Sequence, residues 1–554
     1  MAKKSSGKAV LTYSEIIAIV IMIAILVNAA YYAFTHFEGP SAYGDDPNYL
    51  YLASTILKGD YSMNAGYIFS LRIMQFLPIA FFYSLFGINN LTSTLWDITA
   101  YLGIIIVTFF IVKLFYKGYK EALISSFVVS ISPLIMKFAV NTGEDPPLTF
   151  ISALAVLMFL YAENTNKKAY FFASGALLVV DWLISYEAGV AILFIFVYAI
   201  IELLRKKITI NYNSIFFIYG IAVAFLLTFI FSFYTSSPPQ PFLTITRNMN
   251  FYSGVGTRVN GLPTIPTTNT NLNFYPNLFF QYHVLTILRQ SPNIMQNLKN
   301  IYDSIFMQIP SDFGITYYYL VFALITLLIL RDKRSYFIIF WYAFMLVILE
   351  FGPMHVGITL HPFSIDYLLT YRLGRFMMIT VPAMSAIIGI AISKLIQFRN
   401  KYLLSLGAAF AAVLLIVLYL NSYAVTTYAY YWQYYQESLV MPAANFLRYN
   451  NTVDHSAIIY LEATWHNVTV TYTGANFDSY YGDPSSSRII FDITNTTNCN
   501  AFQPGSYVVW SGPPHCSNWV DIYNMPPVQG IPQMYINAEK SSMVYIPTNI
   551  YFVK

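Results

Sequence analysis

The chain has 554 residues, of which 57% are hydrophobic and 18% aromatic, while only 10% are charged. So few charged side chains exclude an ordinary water-soluble protein, because water alone would not solvate such a chain. The formal net charge of +4 arises from short basic segments between apolar runs, and its distribution gives no sign of nucleic-acid binding. We therefore expect an integral membrane protein.

The first predicted element is an apolar run over residues 16–35, which contains no Asp, Glu, Lys or Arg for twenty residues. A helix of this length crosses a hydrocarbon core about 30 Å thick. Lys3, Lys4 and Lys8 precede it, and cytoplasmic flanks collect basic residues, so the amino terminus is expected inside. No small-residue cleavage site follows at the right distance, which indicates an uncleaved anchor.

Ten further apolar segments follow, and with the first they predict an α-helical polytopic protein of eleven transmembrane helices. They lie at residues 96–112, 122–141, 147–162, 169–186, 188–204, 213–234, 315–330, 335–350, 376–393 and 402–422. An odd number of spans places the carboxyl terminus outside. The segments on the predicted inner side then hold 17 of the 30 basic residues but only 5 of the 26 acids. A wrong number of spans would move some of these segments to the other side, and the asymmetry would be lost.

One apolar segment, residues 67–86, is left out of this count. It carries Arg72 and Pro78, and counting it would place the basic sequence KLFYKGYKE outside. We interpret it as helices in the outer interface, within a first external loop at residues 36–95. A long external loop at residues 235–314 is rich in Asn, Pro and Thr and is expected to be partly irregular, with a helical end near residues 293–307.

The chain is divided into a transmembrane domain at residues 1–425 and an external carboxyl-terminal domain at residues 426–554. Short alternating runs such as SRIIFDI and SYVVW predict that the second domain is small and β-rich, joined by a helix near residues 436–449. Both cysteines, Cys499 and Cys516, lie in it; a disulfide suits an oxidising exterior, and two separate thiols are the alternative. Glycosylation sequons occur at four asparagines on the predicted external side: Asn90, Asn450, Asn467 and Asn495.

Acidic pairs stand at the predicted outer face. Asp45 and Asp46 follow the first span in YGDDPNYLY, and Glu144 and Asp145 occupy the second external loop in NTGEDPP. The simplest interpretation of each pair is a solvated helix start, since Asp is a favoured N-cap and Pro a favoured first residue. Alternatively, the pairs bind a divalent cation through carboxylate oxygens or supply a general base.

Asp181 and Glu187 form a third acidic site between the fifth and sixth spans. Ionisable groups at membrane depth are costly, so they are candidates for function, whereas a buried pairing with Arg72 or Lys137 would be structural.

The order of these parts resembles the GT-C superfamily of membrane glycosyltransferases, closest to the branch of protein O-mannosyltransferases and lipid A aminoarabinose transferases. GDDPNYLYLASTILKGDY is similar to the acidic first loop of that branch, and LFG ends the interfacial helices. SISPLIMKFAVNTGEDPPLTFISALAVLMFLY resembles its second acidic motif, and YRLGRFMMITVPAMSAIIGIAI its Arg-rich entry to a Pro-containing span. The resemblance covers about residues 10–425.

This resemblance implies transfer of a sugar from a polyprenyl-phosphate or dolichyl-phosphate donor to a hydroxyl of a protein, lipid or glycan acceptor, at the outer face of the plasma membrane. The acceptor oxygen would attack the anomeric carbon directly, with inversion. Asp45 is the expected base and Asp46 would orient it or the acceptor, while Glu144 and Asp145 would position substrate or metal. No cofactor is required, and a divalent cation, Mg²⁺ or Mn²⁺, held by Asp45, Glu144 and Asp145 is left open.

A lipid phosphate leaving group needs cationic partners. Arg72, Arg372 and Arg375 are the candidates for the phosphate, and snorkelling anchors at a helix end are the alternative interpretation of the last two. His355 and His361 lie near the same predicted face, but a lone loop histidine is more often solvated than catalytic.

Three features depart from the family pattern. SMNAGYIFSLR lacks the Lys-Pro-Pro stretch of the aminoarabinose branch, VNTGED lacks an Arg before its acid, and the oligosaccharyltransferase signature WWDYG is absent. A transporter or lipid flippase is the alternative function, although the sequence has no repeated halves and its acids lie at one face instead of the midplane. The Asn-rich and aromatic-rich composition suits an archaeal cell surface.

Overall fold

The structure is a computed structural model that describes most of the predicted transmembrane domain and parts of the carboxyl-terminal domain. The described residues are 12–37, 46–63, 68–205, 212–236, 313–351, 353–360, 363–369, 374–397, 401–438, 446–447, 450–454, 457–461, 489–491, 499–511, 513–524 and 548–554. Several predicted features lie outside them: Asp45, Arg372, His361, Asn467, Asn495 and nearly all of the loop at residues 235–314.

Every predicted span coincides with one helix or a pair of helices. In chain order the helices are α1 (Tyr13–Thr35), α2 (Asp46–Lys58), α3 (Ile73–Phe86), α4 (Asn90–Phe115), α5 (Lys120–Ser130), α6 (Pro133–Phe138), α7 (Asp145–Thr165), α8 (Lys168–Trp182), α9 (Ala188–Leu204), α10 (Ile215–Thr235), α11 (Thr316–Ile329), α12 (Tyr336–Phe351), α13 (Val381–Lys394) and α14 (Lys401–Ser438). Two 3₁₀ helices, Ile68–Leu71 and Gly374–Thr380, precede α3 and α13.

Length and composition alone make six segments of the described chain long and apolar enough to cross a membrane. They are Tyr13–Thr35, Asn90–Phe115, Asp145–Thr165, Ile215–Thr235, Arg375–Lys394 and Tyr402–Thr427. The remaining helices at predicted spans are shorter, so eleven crossings and the sides of the two termini stay predictions.

Local sequence explains where several helices begin. Asn89 caps α4 by accepting a hydrogen bond from the amide of Thr92 at 3.0 Å. The third predicted span is split into α5 and α6 because Pro133 has no amide hydrogen and favours an extended conformation at Ser132, where ψ is 120°. The segment that was excluded from the span count contains the 3₁₀ turn and α3, with Pro78 inside α3.

The apolar core of the bundle lies among α4, α5, α7 and α13. Of the six long segments, the one containing α13 is 94% buried over its most apolar window, whereas those of α10 and α14 are 11% and 17% buried. Helices packed this loosely on protein are expected to face lipid. Gly389 permits the close approach of α13 to α5, because a Cβ there would lie 2.5 Å from the Cα of Ser125.

Two elements near the carboxyl end of this bundle differ from the prediction. Strands β1 (Pro353–Leu360) and β2 (Phe363–Leu369) form an antiparallel hairpin between the predicted spans at residues 335–350 and 376–393, where the sequence analysis predicts no strands. Helix α14 runs unbroken for 38 residues and includes residues 425 and 426, between which the domain boundary is placed; the division into two domains stays a prediction. Residues 436–438 of the predicted connecting helix belong to α14, and most of its remaining residues lie outside the described part of the chain.

The described residues of the carboxyl-terminal region include five strands of a mixed sheet: β3 (Ile459–Leu461), β4 (Ile489–Phe491), β5 (Tyr507–Ser511), β6 (Trp519–Tyr523) and β7 (Thr548–Val553). The strand order is β4-β3-β5-β7-β6; β3 pairs in parallel with β4 and β5, and β7 is antiparallel to β5 and β6. A disulfide joins Cys499 to Cys516, with Cα atoms 5.6 Å apart, beside the buried ring of Trp519.

Candidate active site

Four segments from distant parts of the chain meet at one end of the bundle. They are the start of α2, the turn before α3, the loop before α7 and the 3₁₀ helix before α13, which carry Asp46, Arg72, Glu144 and Arg375 respectively. The turn after α8 joins them, because the amide of Met74 donates a hydrogen bond to the carbonyl of Leu183 at 3.2 Å.

Glu144 lies at the centre of this cluster and is 1% exposed. Arg72 Nη1 lies 2.9 Å from Glu144 Oε1, and the hydroxyl of Tyr49 donates a hydrogen bond to Glu144 Oε2 at 2.9 Å. Arg72 also donates to the hydroxyl of Tyr49. The three side chains thus form a closed triangle that fixes both oxygens of the carboxylate.

The charge of Glu144 is stabilised by its neighbours. Burial alone would raise the pKa of Glu144, but the guanidinium groups of Arg72 and Arg375 outweigh that effect and hold the pKa at about 2. Glu144 is therefore ionised at neutral pH, and it accepts hydrogen bonds instead of donating them.

The ion pairs of Arg375 are longer than the ion pair of Arg72 with Glu144. Its guanidinium lies 3.7 Å from Glu144 Oε1 and 3.8 Å from Asp145 Oδ2, beyond ordinary hydrogen-bond length. Its side chain is 20% exposed, compared with 8% for Arg72. Of these two arginines, Arg375 has the longer ion pairs and the more exposed side chain.

Side chains of α3 and α4 hold the loop before α7 through hydrogen bonds to its backbone. The amide of Gly143 donates to Asp97 Oδ1 at 3.1 Å, and its carbonyl accepts from Gln75 Nε2 at 2.7 Å. Both side chains are fully buried. The carboxyl of Asp97 lies close enough to Asp46 and Asp145 for their charges to interact, so it stands between the two acidic segments.

Glu187, at the start of α9, is the third acidic group of the cluster. Burial, and then repulsion from Asp145 and Glu144, raises the pKa of Glu187 well above its usual range, although Arg375 and Arg72 act in the opposite direction. Asp181 has a different described partner: its carboxylate accepts a hydrogen bond from the hydroxyl of Ser152 on α7. No ion pair with Lys137 is found for Asp181 or Glu187 among the described residues.

Most described residues of the predicted site come together in this cluster. Asp46, Glu144 and Asp145 do begin helices, but at 6%, 1% and 2% exposure they are buried, not solvated. Sequence reasoning missed Tyr49, Gln75 and Asp97. A signal existed for Asp97, a carboxylate within the apolar span at residues 96–112; Tyr49 and Gln75 are ordinary residues of their helices and gave none.

The possible metal site fits poorly in the described part of the chain. No group of three or more His, Cys, Asp or Glu side chains there could hold a metal ion. Glu144 and Asp145 each have an arginine within 3.8 Å, which competes with a cation for the same oxygens.

The two sequons within the described residues sit at element ends. Asn90 is the first residue of α4, and the side chain of Asn450 accepts hydrogen bonds from Thr452 of its own sequon at 2.9 Å and 2.8 Å.

A helical bundle with buried acids and arginines at one end can be compared with known proteins. The family described as dolichyl-phosphate-mannose-protein mannosyltransferase matches residues 73–233, which is less than a third of the chain. This range includes Gln75, Asp97, Glu144, Asp145 and Glu187. No curated protein matches the chain in sequence.

Solved structures share the fold at low identity. ArnT from Cupriavidus metallidurans bound to undecaprenyl phosphate has a TM-score of 0.51 and 12% identity, covering 96% of this chain and 97% of ArnT. The apo oligosaccharyltransferase of Archaeoglobus fulgidus has a TM-score of 0.52 and 12% identity, covering 88% of this chain and 69% of that protein. Its complex with Zn and sulfate has a TM-score of 0.50 and 12% identity, covering 83% and 61%.

These matches confirm the resemblance that the sequence indicated. The chain resembles the GT-C superfamily of glycosyltransferases, in the branch of protein O-mannosyltransferases and ArnT. It is a mostly helical protein with several apolar helices and a small carboxyl-terminal sheet, as in ArnT.

Proposed function

We propose that this protein transfers a sugar from a polyprenyl-phosphate-linked donor to a hydroxyl acceptor at the outer face of the plasma membrane. One observation carries the proposal: the buried network of Glu144, Arg72 and Arg375 beside Asp46, at one end of a bundle with the ArnT fold. Such a network combines carboxylates that can handle an acceptor proton with a cation available to a phosphate.

The proposed reaction is a single displacement. The acceptor oxygen forms a bond to the anomeric carbon while its proton passes to the carboxylate of Asp45, and Asp46 orients the acceptor. The bond from that carbon to the phosphate oxygen breaks, and the lipid phosphate leaves with the bonding electrons. Inversion at the sugar carbon follows because attack and departure occur on opposite sides.

The two described arginines suit different tasks in this reaction. The close pairing of Arg72 with Glu144 supports a role in holding the carboxylate, which then positions the acceptor or the sugar. The longer ion pairs and greater exposure of Arg375 favour it, with Arg372, as the partner of the leaving phosphate. A phosphate dianion would draw Arg375 from Glu144 and Asp145 without disturbing Arg72.

The test compares wild type with Asp45→Asn in matched membranes supplied with polyprenyl-phosphate-linked sugars, following loss of label from the lipid and its appearance on an acceptor. Asp60→Asn, an exposed acid after α2, is the control. We expect transfer by wild type and by Asp60→Asn but not by Asp45→Asn. Persistent transfer by Asp45→Asn at equal expression would rule out this base. Chelator, with Mg²⁺ or Mn²⁺ restored afterwards, tests metal dependence in the same assay.

A further inference from the structure

We propose that Asp97 and Gln75 are positioning residues that hold the peptide of Gly143 and thereby set the place of Glu144 and Asp145. The inference rests on the proposed function for its kinetic consequence. The side-chain hydrogen bonds described for both residues go to the backbone of Gly143, so both are expected to act through the loop.

The first step concerns the backbone of the loop. Residues 139–144 lie between α6 and α7 and are outside regular helix, yet Gly143 has its amide and its carbonyl in a buried environment. Buried backbone groups need partners, and here the partners are side chains from two different helices. Asp97 Oδ1 accepts a hydrogen bond from the amide of Gly143 at 3.1 Å, and Gln75 Nε2 donates one to its carbonyl at 2.7 Å.

The second step concerns what the loop carries. Glu144 follows Gly143 directly, and its carboxylate is held by Arg72 and Tyr49. Glu144 also immediately precedes Asp145, the first residue of α7. A shift of the Gly143 peptide would therefore move both acids relative to the arginines. A misplacement of about 1 Å in a positioned group can cost on the order of 100-fold in rate.

The third step concerns the choice of residue at position 97. A carboxylate and an amide oxygen both accept the hydrogen bond from Gly143, but a leucine of similar size cannot. If the hydrogen bond from Gly143 holds the loop in place, the loop should keep its position in Asp97→Asn and become more mobile in Asp97→Leu. Gln75→Met likewise removes the donor to the Gly143 carbonyl while keeping an unbranched side chain. Thr108→Val is the matched control, because Thr108 is buried on the same helix, 1% exposed, and lies about three helical turns beyond Asp97.

Hydrogen–deuterium exchange of the peptide containing Gly143, in the purified full-length protein, tests the clamp without any activity. We expect faster exchange in Asp97→Leu and Gln75→Met, and wild-type exchange in Asp97→Asn and Thr108→Val. Unchanged exchange in both Asp97→Leu and Gln75→Met would overturn the inference, as would equal acceleration in Asp97→Asn and Asp97→Leu.

Sugar transfer from the lipid donor is measured on the same preparations. Asp97→Leu and Gln75→Met are expected to lower kcat by about 10–100-fold, whereas Asp97→Asn retains most of the activity. Accelerated exchange with wild-type kcat would mean that the clamp is structural only and would overturn the positioning role. If wild type transfers no sugar from any donor, the proposed function fails, while the exchange result still decides whether the clamp exists.

Discussion

Arg72 and Glu144 are 72 positions apart in the sequence, yet Arg72 Nη1 lies 2.9 Å from Glu144 Oε1 in the buried end of the bundle. The pair links the turn before α3 to the start of α7. It therefore binds the segment interpreted as interfacial to one of the long apolar helices.

Breaking this pair should destabilise the protein. Arg72→Leu leaves the buried charge of Glu144 with the hydrogen bond from Tyr49 and the longer ion pair to Arg375, and poorly compensated buried charges typically cost about 3–5 kcal/mol. Thermal unfolding in detergent should show a clear loss of stability. Arg205→Gln removes a pair with Glu202 in which the arginine is 62% exposed, so it should cost about 1 kcal/mol or less. Equal losses in the two variants would contradict the buried triangle.

Stability should fall at low pH through Glu144. Its pKa is lowered from 4.5 to about 2 in the folded protein, so the unfolded chain binds a proton first as pH falls. The stabilisation is fully present above pH 4.5 and is lost as pH approaches 2. Unfolding midpoints measured across this range should decline in wild type. In Glu144→Gln, which is less stable at neutral pH, the decline should be shallower; parallel slopes would exclude Glu144 as a source.

Arg375→Gln should weaken donor binding more than it weakens the fold. The ion pairs of Arg375 with its acidic neighbours are 3.7 Å and 3.8 Å long, whereas the proposed phosphate contact would be lost outright, so the larger effect is expected on donor binding. We expect a rise in KM for the lipid donor of about 10-fold or more, as for loss of one charge-assisted hydrogen bond of roughly 1.5–3 kcal/mol. Arg205→Gln serves again as the control. A fall in thermal stability matching Arg72→Leu, without a change in KM, would make Arg375 structural.

Gly175 should tolerate no side chain. A Cβ there would lie 2.0 Å from the carbonyl oxygen of Phe217, where α8 crosses α10, so Gly175→Ala forces the helices apart at a cost of about 1–3 kcal/mol. Gly189→Ala is the matched change, because its Cβ would meet only the ring of Trp182 at 3.7 Å. Thermal unfolding of both variants should separate them; a similar melting temperature would show that the α8 and α10 contact is looser than described.

Much of the fold could be predicted because membrane helices have a strong one-dimensional signal. Apolar length located a helix at each predicted span, and Pro133 alone explains the break that was not foreseen in the third. The hairpin at residues 353–369 was missed because its residues PMHVGITLHPFSIDYLL follow a long apolar run and contain the loop-like pair His361-Pro362. The apolar run predicts the last span to residue 422, and the helix continues beyond that residue because polar and aromatic residues can extend a helix once it has left the apolar region.

The candidate site was predictable in its charges but not in its pairings. Spacing placed Asp46, Glu144 and Asp145 at helix starts, yet the choice between solvated cap and buried site depends on tertiary packing. The same limit applied to Arg72, which was nominated for a phosphate and is found paired with Glu144. Gln75 could not be predicted as a site residue, because it reaches the carbonyl of Gly143 only through the tertiary packing of α3 against the loop before α7.

Helix α14 has 38 residues, which at 1.5 Å per residue is a rod of about 57 Å, nearly twice the thickness of a hydrocarbon core. The sequence after Thr427, YAYYWQYYQES, is rich in the rings that favour the lipid headgroup layer. The last turns therefore act as a spacer of fixed length. Each residue added to it would raise the far end by about 1.5 Å and rotate it by roughly 100°. The number of residues in α14 therefore sets both how far its last residue lies from its first and the direction in which the chain leaves the helix.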